Sequence, residues 1–291
     1  MLREIFITMR PKQWYKNLVI FIGIAFSLNL LNINLWIIII SAFFIFCLLS
    51  GSIYLINDVL DIEKDRKHPK KRERPLPSGK LKPYPAIVAA TTFTLIALVG
   101  SYLINLPFFI ISLAFFLLIM LYSLYLKNFI IVDIMVISTG FVMRAVAGAL
   151  AISVIVSPWL IICAFLLALF LALGKRRHEL FLLGDKVNEH RQSLDSFSTE
   201  MLDQMIIITT STLIMSYSLY TFFTGKLLMM ITIPFAFYGI FRYLFLIHSE
   251  NMGGEPEMIF KDKGMVLSII LWALVVFLVL YVNIGGILNV K

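Results

Sequence analysis

Long apolar stretches, most of them about 20 residues in length and separated by polar segments, limit the folds open to this chain more than any other feature. A transmembrane α-helix needs about 20 mostly apolar residues, so these stretches can cross a bilayer as helices. Of the 291 residues, 60% are hydrophobic and 14% are charged, which leaves too little polar surface for a soluble protein. The stretches lack the strict polar–apolar alternation of β-barrel strands. The sequence therefore predicts an all-α, polytopic membrane protein.

We predict nine transmembrane helices, all within a single domain over residues 1–291. The predicted spans cover residues 17–33, 35–56, 85–104, 107–126, 129–152, 157–174, 203–224, 227–247 and 265–287.

Basic residues are concentrated in alternate loops. Four lysines and arginines precede the first predicted span, nine follow the second and five follow the sixth, whereas the intervening loops are nearly uncharged. Because cytoplasmic loops carry an excess of Lys and Arg, the N-terminus and the loops after even-numbered spans are predicted to face the cytoplasm, in the cell (inner) membrane. This distribution accounts for the net charge of +8 without a nucleic-acid partner. The oligomeric state stays open.

An acidic motif follows the second predicted span and reads Asn57-Asp58-x-x-Asp61-x-x-x-Asp65. If that span continues as a helix through the motif, the three carboxylates lie on one face and repel each other. A hard divalent cation removes this penalty, since Mg²⁺ prefers one or two carboxylates together with the oxygens of a bound diphosphate. Asn57 adds a neutral ligand at the same level, and Pro69 is predicted to end the helix. The motif therefore predicts a Mg²⁺–diphosphate site in which the three aspartates are the catalytic residues.

Cationic side chains follow this motif and suit phosphate oxygens. The alternative interpretation is a solvated charge run beside a span, which explains the loop lysines but not the spacing of the aspartates. The candidate phosphate ligands in this loop are Arg66, Arg72 and Arg74.

The motif NDxxDxxxD followed by RPLPSG (Arg74–Gly79) resembles the first signature of the UbiA superfamily of intramembrane prenyltransferases. The resemblance implies a nine-helix bundle around a central cavity. It also implies that Asn57, Asp58, Asp61 and Asp65 hold Mg²⁺ against the diphosphate of the substrate, with Arg74 beside them.

Four further segments are similar to one branch of that superfamily, the decaprenyl-phosphate phosphoribosyltransferases. This resemblance implies a donor, phosphoribosyl diphosphate, and an acceptor, a polyprenyl phosphate. The segments are Arg10–Asn17, Val132–Ala149, Gly174–Leu180 and Gly253–Glu257.

The chain departs from the typical superfamily pattern after the sixth predicted span. The second aspartate motif, DxxxD, is replaced there by the sequence GKRRHE, which begins at Gly174. A second full metal site is therefore not expected, although Glu179 is one acid that could contribute. Lys175 and Arg176 instead offer positive charge to a phosphate, which agrees with a substrate set richer in phosphate than an aromatic acceptor.

Arg144 lies near the middle of the fifth predicted span, and intramembrane charges are functional candidates by default. We predict that it binds phosphate; the alternative is an internal ion pair, for example with Asp133. Further candidates lie at span ends: Lys12, Lys16 and Asn17 where the chain enters the first span, and Tyr122 and Lys127, which resemble the family's YxxxxK substrate contacts. For the two lysines of the first group, binding to anionic lipid is an alternative.

The predicted function is a Mg²⁺-dependent transfer of 5-phosphoribose from phosphoribosyl diphosphate to a polyprenyl (decaprenyl-like) phosphate, with release of diphosphate. One alternative is a prenyltransferase that acts on an aromatic or quinone-precursor acceptor. A second, from another class, is a carrier or flippase for phosphorylated lipids, although the inverted repeats common in carriers are not detected.

Overall fold

The structure is a computed structural model that describes residues 1–69, 71–183, 197–249 and 261–282. Gly253–Glu257, one of the segments named above, lies outside these residues. All the regular structure in the described ranges is helical, which confirms the all-α prediction. The α-helices are α1 (Leu2–Thr8), α2 (Ile22–Phe26), α3 (Ile33–Leu60), α4 (Ile62–Lys67), α5 (Pro83–Ile104), α6 (Leu106–Leu124), α7 (Val132–Ala151), α8 (Pro158–Leu183), α9 (Thr199–Phe223), α10 (Ile233–Ser249) and α11 (Lys263–Tyr281). The 3₁₀ helices are Pro11–Phe21, Lys71–Glu73, Leu126–Asn128 and Leu227–Thr232.

Eight helices in the described residues are long and apolar enough to cross a membrane. They correspond to the second to ninth predicted spans, so the chain is a multi-pass membrane protein. Their ends carry the expected signals: Asn105 caps α6 by accepting a hydrogen bond from the backbone N–H of Phe108 at 2.8 Å, and Pro83 begins α5.

The first predicted span, residues 17–33, is not among these eight helices. The chain forms a 3₁₀ helix over Pro11–Phe21 and then the short helix α2. With rises of about 2.0 Å per residue in a 3₁₀ helix and 1.5 Å in an α-helix, residues 11–26 extend over about 30 Å, the thickness of the hydrocarbon core. This segment has the length of a ninth span, but its first half is polar, so it lacks the composition of the other eight.

The described residues form two compact units. The prediction of a single domain stays a prediction. The first unit contains residues 1–126 and 140–156, and its core includes the aromatic cluster Phe46, Phe108 and Phe115. In this unit the backbone of Gly148 lies against Ile20, because a Cβ on Gly148 would be 1.9 Å from the Ile20 carbonyl oxygen. Only glycine permits this close approach of the 3₁₀ helix to α7.

The second unit contains residues 127–139 and 157–291, and its core packs Phe170 of α8 edge-on against Tyr243 of α10. Its helix ends are joined by polar contacts. Lys226 donates to the carbonyl oxygen of Leu280 at 3.0 Å, beside the C-terminus of α11.

Candidate active site

The acidic motif lies at the junction of α3 and α4 in the first unit. Backbone hydrogen bonds continue through the junction, from Asp61 to Asn57 at 2.9 Å and from Asp65 to Asp61 at 2.8 Å. Asp61 itself has φ −97° and ψ 10°, so the helix changes direction there rather than running straight. Helix α4 ends at Lys67, and the next residue, His68, is extended, as expected for a residue that precedes proline.

Arg74 joins the two buried carboxylates of the motif. Its Nη1 atom lies 2.7 Å from Asp65 Oδ2 and 3.3 Å from Asp58 Oδ1, so these oxygens are within about 6 Å of each other. The aspartate side chains are only 3–4% exposed. Lys71 Nζ lies 3.7 Å from the other oxygen of Asp65. Pro75 and Leu76, which follow Arg74, are buried and hold the loop in place.

Arg10 is the residue of this site that the sequence interpretation missed. Its Nη2 atom donates to Asp58 Oδ1 at 2.5 Å, and its guanidinium lies 4.5 Å from the centre of the Tyr54 ring. The backbone of Arg10 is left-handed, with φ 53°, immediately before Pro11 and the 3₁₀ helix. Arg10, Asp58 and Arg74 line an open cavity of about 430 Å³ in the first unit. The signal was present, because Arg10 begins the segment Arg10–Asn17 that carried the family resemblance.

The donor set of the motif fits a magnesium ion. Asn57 Oδ1 is buried and has no hydrogen-bond partner among the described residues, and Asp58 and Asp65 converge on one cationic nitrogen of Arg74. Oxygen donors of this kind are the ligands that Mg²⁺ prefers. Among the described residues, however, no three acidic, His or Cys groups already stand together as a metal site, because guanidinium groups lie between the carboxylates. A metal ion would have to take the place of these cations.

The remaining loop candidates are more exposed. Asp61 is half-buried, and Arg72 is exposed. Arg66 donates to Glu63 at 2.8 Å and contacts the carbonyl oxygen of Pro77 at 3.4 Å. The structure therefore brings Asp58, Asp65 and Arg74 together and leaves Arg66 and Arg72 at the surface.

Of the candidates in the 3₁₀ helix Pro11–Phe21, Lys12 is exposed and Lys16 lies 6.0 Å from the centre of the Tyr15 ring. Asn17 is buried, and its amide nitrogen donates to Cys47 Sγ at 3.3 Å.

Arg144 pairs with Asn17 rather than with Asp133. Its Nε atom donates to Asn17 Oδ1 at 2.9 Å, and Nη1 donates to the carbonyl oxygen of Gly140 at 2.9 Å. Its guanidinium also lies 4.6 Å from the centre of the Phe115 ring. In the described residues no carboxylate forms an ion pair with Arg144, although a charge within a membrane span normally needs a counter-ion.

Tyr122 is half-buried near the end of α6, and Lys127 is half-buried in the 3₁₀ turn Leu126–Asn128. Tyr122 belongs to the first unit and Lys127 to the second, so each is described within its own unit.

The second unit holds the candidates that follow the sixth predicted span. Arg176 is buried and is bound by two carboxylates: its Nε donates to Asp133 Oδ2 at 2.9 Å, and its Nη1 donates to Glu179. Lys175 is more exposed, with Nζ 4.0 Å from Glu179 Oε1. Asp133 was considered as a partner of Arg144, and it is the ion-pair partner of Arg176 instead.

Comparison with known proteins agrees with this helical architecture. The chain matches the family model of the UbiA prenyltransferase family over residues 18–261. It therefore belongs to the UbiA prenyltransferase family and is a membrane-embedded transferase. Among curated relatives, the decaprenyl-phosphate phosphoribosyltransferase of Mycolicibacterium smegmatis is 30% identical over 283 residues, covering 90% of this chain and 88% of the relative. The protein of the same name from Corynebacterium glutamicum is 28% identical and covers 94% of this chain and 86% of the relative.

Solved structures show the same fold. A UbiA homologue from Archaeoglobus fulgidus bound to GPP and Mg²⁺ has a TM-score of 0.74 at 17% identity, covering 95% of this chain and 99% of the homologue. A digeranylgeranylglyceryl phosphate synthase structure has a TM-score of 0.66 at 20% identity, covering 97% and 98% of the two chains.

Proposed function

We propose that the protein transfers 5-phosphoribose from phosphoribosyl diphosphate to a polyprenyl phosphate and releases diphosphate, with Mg²⁺ as cofactor. The observation that carries the proposal is the pair of buried carboxylates, Asp58 and Asp65, set among the cationic groups of Arg10, Lys71 and Arg74. This arrangement has acids for a metal ion and cations for phosphate oxygens within one site. The names of the full-length relatives support decaprenyl phosphate as the class of acceptor.

In the proposed reaction, the bond between ribose C1 and the diphosphate oxygen breaks, and the diphosphate leaves with the electron pair. A new bond forms between C1 and a phosphate oxygen of the lipid. That oxygen is already anionic at neutral pH, so no residue has to act as a general base. Mg²⁺, when bound, would neutralise the charge that develops on the leaving diphosphate.

The residues of the acidic motif would hold and orient the donor in this reaction. Asn57, Asp58, Asp61 and Asp65 are the proposed metal ligands, and Arg74 would move onto the diphosphate oxygens once a metal ion neutralises the carboxylates. Arg66, Arg72, Lys12 and Lys16 are proposed to attract and bind the remaining phosphate charge near this site. Arg66, Arg72 and Lys12 are exposed, and Lys16 is half-buried.

The candidates farther along the chain are proposed to complete phosphate and substrate binding. Arg144, held by Asn17, is suited to the phosphate of the acceptor, because it has a fixed geometry and no carboxylate in the described part of the chain pairs with it. Tyr122, Lys127 and Lys175 are proposed substrate contacts. Arg176 and Glu179 would contribute through the cluster that they form with Asp133.

We also propose that the acidic motif faces the cytoplasm. The support is the concentration of basic residues in the loop that follows α3 and in the segment that ends α8. Phosphoribosyl diphosphate, which is highly charged, would enter from water, and the lipid would enter from the bilayer.

The test uses the purified protein in detergent with Mg²⁺, labelled phosphoribosyl diphosphate and decaprenyl phosphate. We expect labelled lipid from the wild type and a loss of at least about 100-fold in kcat for Asp58→Asn, since metal ligands act on the transition state. Glu63→Gln, which removes an exposed carboxylate from the same segment, should retain wild-type activity.

The same assay separates the alternatives. Turnover of a prenyl diphosphate with an aromatic acid, and no labelled lipid, would assign the protein to the prenyltransferases of its family. Absence of both reactions, with unchanged binding of Mg²⁺–diphosphate by Asp58→Asn, would contradict the enzymatic role of the motif and favour a carrier.

A further inference from the structure

We propose that Arg10 couples metal binding to diphosphate binding: it neutralises Asp58 while no metal ion is bound and moves onto the diphosphate when the metal complex enters. The inference rests on the proposed function only in assuming that the acidic motif binds a divalent cation with a diphosphate. It does not depend on whether the diphosphate carries ribose or a prenyl chain.

Arg10 occupies one coordination position that Asp58 offers to a metal ion, the one at Oδ1. Its Nη2 atom lies 2.5 Å from Asp58 Oδ1, the same oxygen that contacts Arg74 at 3.3 Å. A cation and a guanidinium cannot both bind that lone-pair region at full strength, because they repel each other at such distances. Binding of a metal ion to Oδ1 of Asp58 therefore requires Arg10 to move.

The exposure of the two side chains shows which of them can move. The Asp58 side chain is 4% exposed and is fixed within α3, whereas the Arg10 side chain is 31% exposed and lines the open cavity. A long, partly exposed side chain can change rotamer without disturbing the core. The guanidinium, rather than the carboxylate, is therefore the group that changes its partner.

The local backbone structure of Arg10 directs its side chain toward the site. The left-handed backbone at φ 53°, followed by Pro11, points the side chain back toward α3. The guanidinium lies 4.5 Å from the centre of the Tyr54 ring. Contact with the ring can keep the cation near the site while it changes its hydrogen-bond partner. Among the described residues, Asp58 is the one hydrogen-bond acceptor of this side chain, which leaves its other N–H groups available to phosphate oxygens.

This exchange has a thermodynamic consequence. A metal ion that arrives alone must displace Arg10 without giving the guanidinium a new partner, so its binding is disfavoured. A metal ion that arrives with a diphosphate supplies that partner, and its binding is favoured by the same residue. Arg10 thus makes metal binding conditional on the presence of diphosphate, which is positive coupling between two ligands.

The test compares Arg10→Gln with Arg3→Gln in the full-length protein in detergent. Arg3 is an exposed residue of α1, so its substitution removes the same charge from the same N-terminal part of the chain without touching Asp58. Electron paramagnetic resonance measures the binding of Mn²⁺ alone, as a substitute for Mg²⁺. Isothermal titration calorimetry measures the binding of premixed Mn²⁺ and inorganic diphosphate.

We expect the two affinities of Arg10→Gln to change in opposite directions. Mn²⁺ alone should bind about fivefold more tightly than to the wild type, because its competitor is removed, and Mn²⁺–diphosphate should bind about tenfold more weakly. Arg3→Gln should leave both constants unchanged. Arg10→Lys keeps the charge without the planar fork, so it should bind Mn²⁺ alone as weakly as the wild type and lose part of the diphosphate affinity.

A purely structural role for Arg10 would weaken both affinities together, and that result would overturn the proposal, as would unchanged constants. Arg10→Lys provides a folded comparison if Arg10→Gln is lost during purification. If the wild type itself binds no Mn²⁺ with diphosphate, both this inference and the metal site of the proposed function are wrong. If the wild type binds the complex and Arg10→Gln matches it, only this inference is wrong.

Discussion

Arg144 places a guanidinium within a membrane span and balances it with an amide, a carbonyl oxygen and an aromatic ring instead of a carboxylate. Such a charge is costly in a bilayer, and the contacts to Asn17 and Phe115 hold the group without neutralising it. A bound phosphate would supply the missing negative charge.

We predict that Arg144→Leu lowers kcat/KM for the lipid acceptor by at least about 100-fold, whereas Arg144→Lys lowers it by about tenfold. The lysine retains the charge but loses the fixed geometry that Asn17 and Phe115 impose. Steady-state kinetics with varied decaprenyl phosphate measures both effects. Equal loss in both variants, or a fall in thermal stability with unchanged kinetics, would contradict a phosphate-binding role.

The residue-level predictions from sequence succeed where the signal is local. The spacing of the acidic motif predicted that Asp58 and Asp65 share one face, and both contact Arg74; their role as metal ligands stays a prediction. Arg10 was missed because its partner lies 48 positions away, and no local pattern connects the two. The contact of Arg144 with Asn17 spans 127 positions and was missed for the same reason.

At the scale of single helices, hydropathy predicted eight spans well because the length of an apolar stretch and the thickness of the bilayer are directly related. It could not predict the 3₁₀ helix over Pro11–Phe21, since side-chain periods of 3.0 and 3.6 are hard to tell apart within a short segment. The change of direction at Asp61 likewise depends on tertiary contacts of the loop rather than on local propensity.

Helix α11 begins at a capping residue whose ionisation affects stability. Asp262 accepts hydrogen bonds from Arg242 at 2.7 and 3.1 Å and from the backbone N–H of Met265 at 2.7 Å. The hydrogen bonds from Arg242, and then that from Met265, lower the pKa of Asp262 below its ordinary value. A lowered carboxyl pKa contributes stability that is complete above the unfolded pKa and is lost as the pH falls through the folded pKa.

We predict that Asp262→Asn destabilises the protein by about 1 kcal/mol at pH 7, because asparagine keeps the cap but loses the charge opposite Arg242. The difference from wild type should shrink as the pH falls below about 4, the ordinary range of an aspartate pKa. Thermal unfolding in detergent over a pH series measures this difference in stability. Asp262→Ala also lacks the cap, so its deficit should persist in acid; a deficit of Asp262→Asn that is independent of pH would contradict the prediction.

At the scale of the whole molecule, polar contacts join helix ends that the charge distribution assigns to the same membrane face. In the first unit, Asn105 donates to the carbonyl oxygens of Leu150 and Ala151, and both segments are predicted to face outward. In the second unit, Arg177 binds Asp203, and both are predicted to face the cytoplasm. These contacts agree with spans that cross the membrane in alternating directions. Which of the two faces is cytoplasmic is a separate prediction.

We predict that Lys80→Cys is labelled by a membrane-impermeant thiol reagent only after cells are opened, whereas Asn34→Cys is labelled in intact cells. Both positions are exposed and belong to the first unit; Lys80 lies in the loop before α5 and Asn34 in the first turn of α3, at span ends of opposite predicted orientation. The parent protein, with Cys47 and Cys163, gives the background. Labelling in the reverse order would invert the topology and place the acidic motif outside the cytoplasm.

The 3₁₀ helix over Pro11–Phe21 also determines the directions in which Arg10 and Asn17 point relative to each other. Over the six steps from Pro11, which follows Arg10, to Asn17, a 3₁₀ helix and an α-helix differ by about 120° in rotation and about 3 Å in rise. Arg10 contacts Asp58 and Asn17 contacts Arg144, so this winding keeps both side chains in register with their partners. Rewinding the segment as an α-helix would bring only one of them into contact at a time. The tighter winding thus lets Arg10 contact the acidic motif while Asn17 contacts the intramembrane arginine.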